Sequence, residues 1–156
     1  MPRIQVPTEG HVVNVLPPVD LNGSAKTGDI FHLKNYSHVD IIIQLGVTGA
    51  ASTVTLKECD DVTPSASTAI AFNYYAETTA AGDTLGALTA ATTSGFATST
   101  NDNVMYVISL DASELSDGYP YLQLNFSDPA AGTIASAVAV LSGARYGEDQ
   151  NATAIT

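Results

Sequence analysis

The chain has 156 residues and a formal net charge of -11, from sixteen acidic and five basic residues. That length supports one domain with a real core, removing roughly 70% of the surface that the unfolded chain exposes. The five bases, Arg3, Lys26, Lys34, Lys57 and Arg145, are scattered, so the field has the wrong sign for nucleic acid or an anionic membrane surface, and neither is expected as a partner.

Taken in chain order, residues 1–10 read as an extended arm. Pro2 and Pro7 discourage regular structure there, and Ile4 and Val6 offer apolar anchors. The arm has no apolar core of the secretory type, so no leader is expected, and no apolar run reaches the ~18 residues of a membrane span. Synthesis in a cytoplasm is the expectation. The single cysteine, Cys59, can close no internal disulfide and fits that setting.

Short runs rich in Val, Ile, Thr, Tyr and Phe follow, separated by Gly, Asn, Asp, Pro and Ser, and helical spacing is missing. Residues 12–16 predict a strand stopped by Pro17-Pro18, and 20–28 a loop with Asn22-Gly23 as its turn. A short strand is expected at 29–33. Residues 39–47, with Ile41, Ile42, Ile43 and Leu45, predict a central strand buried on both faces. Residues 52–59 alternate cleanly, with Val54 and Leu56 on one side, as a half-buried strand does. After a turn at Asp60-Asp61, residues 69–76 alternate again, with Ile70, Phe72 and Tyr74 on one face. Residues 77–100 are rich in Ala, Thr and Gly and predict a long excursion with one weak strand at 85–91. Such excursions are often functional.

Residues 104–110 and 119–126 predict two further strands. Between them, Asp111 with Glu114 three residues on predicts one capped helical turn. Residues 133–141 predict a second strand buried on both faces, one carrying Ile134, Ser136, Val138 and Val140 and the other mostly Ala. Residues 147–156 form a polar tail. About eight strands at this spacing predict an all-β, single-domain antiparallel β-sandwich over residues 11–146, with the jelly roll among the arrangements open to it.

No pattern of catalytic residues stands out, and no enzyme activity, metal or cofactor is expected. His11, His32 and His38 have no metal-ligand spacing with Cys59. The acids beside Cys59 suppress its thiolate. Asp60 and Asp61, adjacent on a strand, would point to opposite faces and cannot converge on one substrate atom. Asp20, Asn22, Gly23 and Asp29 echo a calcium loop but lack its closing residues. The tyrosines are more suggestive. Tyr74-Tyr75 and Tyr119-Pro-Tyr121 place aromatic residues at strand positions, and Tyr gives large contact area at low entropic cost. Those side chains serve equally well as the rim of a core.

The carboxy-terminal third carries Val104-Met-Tyr-Val-Ile, then Asp111-Ala-Ser-Glu-Leu-Ser-Asp-Gly-Tyr-Pro-Tyr-Leu-Gln-Leu, then Val138-Ala-Val-Leu-Ser-Gly-Ala-Arg-Tyr146. In these segments the chain resembles small virion proteins of tailed bacteriophages encoded beside the major capsid protein, in particular capsid decoration (cement) proteins. The resemblance implies a β-rich structural protein on the capsid surface, made in the host bacterial cytoplasm. It implies the major capsid protein as partner and a homo-oligomer, with a trimer expected. The expected capsid or subunit contacts are Ile4 and Val6 on the arm, Tyr74, Tyr75, Tyr119 and Tyr121 on strands, and Arg145. The arm or the 77–100 excursion would dock on the capsid. The other readings are a head–tail joining or tail component and, with no Trp to build a platform, a carbohydrate-binding sandwich.

Overall fold

A computed structural model of the chain describes residues 5–77, 79, 82–145 and 155. Ile4, the polar tail at 147–154 and Tyr146 lie outside the described residues. Among those described, a helical turn, α1 (Val6–Glu9), precedes twelve strands: β1 (His11–Asp20), β2 (Lys26–Thr27), β3 (Phe31–His32), β4 (Tyr36–Thr48), β5 (Thr53–Cys59), β6 (Ser67–Ile70), β7 (Phe72–Glu77), β8 (Thr89–Ala91), β9 (Phe96–Ala97), β10 (Met105–Asp111), β11 (Tyr121–Phe126) and β12 (Thr133–Ala144). Eight of these have four residues or more, which is the number the sequence predicts. Of the other four, β3 and β8 are short pieces of the strands expected at 29–33 and 85–91, and β2 and β9 are two-residue pairings inside stretches read as loops.

The strands form two antiparallel sheets, so the fold is the expected all-β sandwich. The larger sheet runs β1-β12-β4-β10-β7-β8 and the smaller β2-β11-β5-β6, with β3 and β9 pairing to β11 and β5. The eight longer strands are thus divided five and three, not four and four as in a jelly roll. Side chains that fill the space between the sheets include Ile41, Ile43 and Ile108 from the larger and Leu56, Leu122 and Leu124 from the smaller, all fully buried.

Four local departures from the sequence reading have physical causes. β1 continues through Pro17-Pro18 to Asp20 because it is an edge strand whose register slips between Leu16 and Val19, where missing N–H groups cost no ladder bond. The same prolines blunt that edge against a further strand. Residues 5–10 are not extended: Pro7 sits in the first turn of α1, where its missing N–H is harmless. The run 69–76 breaks at Ala71, so β6 lies in the smaller sheet and β7 in the larger, with Ile70 and Phe72 still reaching one core. The 77–100 excursion is in part core. Ala91 and Phe96 are buried, and Gly95, at φ +74°, brings the backbone so close to β5 that a Cβ there would overlap the Val54 carbonyl oxygen. Only glycine satisfies both demands.

The predicted turns are present. Asp20 Oδ1 accepts the N–H of Asn22 at 3.0 Å and of Thr133 at 3.1 Å. These bonds, the Asn22 one first, hold the carboxyl below its ordinary pKa. Residues that echo a calcium loop are therefore spent on a turn. Asp111 leads into a 3-10 turn at Ala112–Glu114, where the Glu114 carboxylate accepts the Asp111 N–H at 2.8 Å.

Candidate functional site

β4 and β12 also depart from the sequence reading, because each is buried on one face only. On β4, Val39, Ile41, Ile43 and Leu45 are at most 1% exposed, while Asp40 and Ile42 are half-buried and Gln44 is exposed. β12 is patterned in the unexpected sense. Its small residues Ala135, Ala137 and Ala139 face the core, and its branched residues face outward. The inner alanines share the core with Phe31, Tyr36 and Phe126, so small side chains are set among large ones as dense packing requires.

The consequence is an apolar band on the outer face of the larger sheet. Cross-strand register aligns Val138, Ile42, Val107 and Tyr75 on β12, β4, β10 and β7. Val12 and Val140 pair in the next row toward the β1 edge. The four residues of the band remain half-buried and Val12 is 49% exposed. None of the four belongs to the core cluster between the sheets.

At one end of the band the register brings a polar cluster together. His38 lies opposite Asp111, and Asp40 opposite Ser109. His38 Nδ1 is 2.7 Å from Asp111 Oδ1, its Nε2 is 3.2 Å from Asp40 Oδ1, and Ser109 Oγ is 3.3 Å from the same Nε2. Partial burial alone would lower the His38 pKa; the hydrogen bonds to Asp111 and then Asp40, with their charges, outweigh it and raise it above the ordinary value.

Serine, histidine and aspartate in this order are the residue types of a nucleophilic triad. Two features work against that chemistry. Asp40 sits on the nitrogen that would take the serine proton, and the two carboxylates keep a proton on the ring. Ser109 also lies mid-strand between β4 and β7, so the amides beside it belong to the ladders on either side and are not free to hold an oxyanion. What the arrangement does well is hold an imidazolium between two acids.

The residues singled out from sequence do not form one site. Val6 opens α1 and is 37% exposed. Tyr74 belongs to the core rim: its ring stacks on Phe96 at 4.0 Å between centroids. Tyr75 is in the outer band. Tyr121 lies on the smaller sheet, edge-on to His32 at 5.7 Å. Tyr119 precedes β11 in a turn, donating its N–H to Ser116 O at 3.0 Å, and does not share a strand face with Tyr121. Tyr119 and Arg145 do meet, at a cleft between loop 115–120 and the end of β12. Among the described residues, Tyr74, Tyr75 and Tyr121 thus lie on three different faces.

Cys59 is fully buried, and burial, more than the neighbouring acids Asp60 and Glu58, pushes its thiol up. His32 is held below its ordinary pKa by burial and then by Lys34, and its Nδ1 is buried without a partner. Among the described residues, no three His, Cys, Asp or Glu side chains are grouped to hold a metal ion. Compared with known proteins, the chain matches no family model, no curated protein and no solved structure.

Proposed function

We propose that this chain is a non-enzymatic structural protein that docks through the outer face of its larger sheet, and that its partner is the outer surface of a tailed-phage capsid, which it reinforces as a decoration protein. The observation that carries the docking half is the half-exposed apolar band of Val138, Ile42, Val107 and Tyr75 on the outer face. Apolar side chains aligned across four strands contribute nothing to this chain's own core and favour association. The capsid half rests on the resemblance of the carboxy-terminal third. Two of the resembling segments form β10 and β12, which supply Val107, Val138 and Val140 to the band. A modest face suffices for such a role, because a lattice repeats each contact by symmetry and linked contacts add as avidity. A homotrimer is part of the same proposal.

The test is co-sedimentation of the purified protein with expanded heads of its phage prepared without it. Wild-type protein should bind saturably at a fixed ratio to the major capsid protein and make the heads harder to disrupt. Val107→Glu puts a charge on the outer face without touching the core and should abolish binding while leaving the fold intact. Binding by both proteins would move the contact elsewhere on the surface. No binding by either would overturn the capsid reading and direct the search to the tail and its connector.

A further inference from the structure

The cleft lined by Tyr119 and Arg145 gathers basic side chains in an otherwise acidic molecule. It encloses about 370 Å³ at the end of the sandwich, between the residue 33–34 turn, loop 115–120 and the end of β12. Two of the chain's five bases, Lys34 and Arg145, line it. Asp117 lines it too, yet among the described residues neither base forms a salt bridge with it or with any other acid. In a chain of net charge -11, the described lining of this concavity holds two bases, Lys34 and Arg145, against one acid, Asp117.

The cleft is also built to keep its shape. Leu33 N–H donates to Pro120 O at 2.8 Å, and Arg145 N–H donates to Asn35 O at 2.8 Å. Loop 115–120 is pinned from beneath by Glu58, a carboxylate only 4% exposed that accepts the Ser116 N–H at 2.8 Å. Leu33, Leu115 and Pro120 make an apolar floor, with the half-buried Tyr119 ring beside it. A backbone frame held in shape around an apolar floor, at the small end of the usual size range, suits a compact ligand.

We propose that this cleft binds an oxyanion, a carboxylate or phosphate group, between the Lys34 ammonium and the Arg145 guanidinium. The guanidinium offers two parallel donors that match the two oxygens of such a group, and the ammonium supplies a point charge from the other side. The carbon skeleton behind the anion would lie on Tyr119 and Leu115. The site is separate from the outer band, and nothing in its argument depends on the capsid reading. The same group can arrive on a small molecule or on an acidic side chain of a partner segment.

The experiment is an amide-resolved NMR titration of the full chain at constant ionic strength, with inorganic phosphate, with succinate and with a short glutamate-rich peptide, using chloride as the control. Saturable shifts should be confined to the amides of residues 33–35, 116–119 and 145. Lys34→Ala and Arg145→Ala should each weaken binding roughly tenfold, as the loss of one charge-assisted hydrogen bond does, and the double variant should abolish it. Both residues are exposed, so unchanged spectra elsewhere will show that the variants fold. Tighter binding of the peptide than of succinate or phosphate would identify a partner segment as the source, and the reverse a small molecule. Shifts that chloride reproduces, or that survive in the double variant, would overturn the proposal.

Discussion

Three successive isoleucines at the centre of β4 meet different fates. Ile41 and Ile43 are sealed between the sheets, while Ile42, between them in sequence, lies on an outer face beside Val138 and Val107. β12 sharpens the contrast, since its alanines are inside and its valines outside. An apolar residue on each face of a strand therefore does not mean that each face is buried by the same chain. The outer face, where Asp40 and Gln44 flank Ile42, meets water in the free chain, and a partner only on the proposed reading.

The largest effect that would test the contrast is a truncation on each face. Ile41→Ala should cost about 2–5 kcal/mol in urea unfolding, because it removes buried methyl groups and leaves a cavity. Ile42→Ala should cost under about 1 kcal/mol, because its side chain is already partly in water. Equal costs would mean that the outer face is covered after all.

A smaller effect concerns how the cleft is held. Glu58→Ala leaves the Ser116 N–H without its acceptor and should cost about 1.5–3 kcal/mol, the range for a hydrogen bond to a charged group. Glu58→Gln keeps an accepting oxygen and should recover part of it. If Glu58→Ala unfolds at the wild-type urea concentration, loop 115–120 is held by other bonds and Glu58 does not set the shape of the cleft.

The sequence and the structure agree where alternation is local. The half-buried pattern of Val54 and Leu56 and the capped turn at Asp111 were legible because each depends on neighbours within a few residues. What was not legible depends on register. His38 and Asp40 share a face by their spacing of two, as do Ser109 and Asp111, but only the pairing of β4 with β10 places the two couples together. The cleft likewise joins Lys34 to Arg145 across 111 positions (145 minus 34). One signal was present and undervalued: Asp40 and Gln44, alternating with Ile42, mark that face of β4 as one that meets water.

The smallest effect concerns the polar end of the outer face. His38 faces Asp40 on its own strand, Asp111 and Ser109 on β10 and Ser142 on β12, with Glu114 in the adjoining turn. Its pKa is raised on folding, so the cluster's contribution to stability is complete below the unfolded value of about 6.5 and fades as pH rises through the folded value. Replacing the ring by His38→Gln removes the titrating proton. The stability gap between wild type and variant should therefore be widest near pH 6 and close toward pH 9. It should stay below about 1 kcal/mol, because the side chains of His38, Asp40 and Asp111 are 31%, 42% and 62% exposed and water screens them. A gap that is flat with pH would show that His38 does not carry its charge between the two acids. A gap that widens as pH rises would reverse the sign and return the neutral ring, with Ser109 beside it, to consideration as a base.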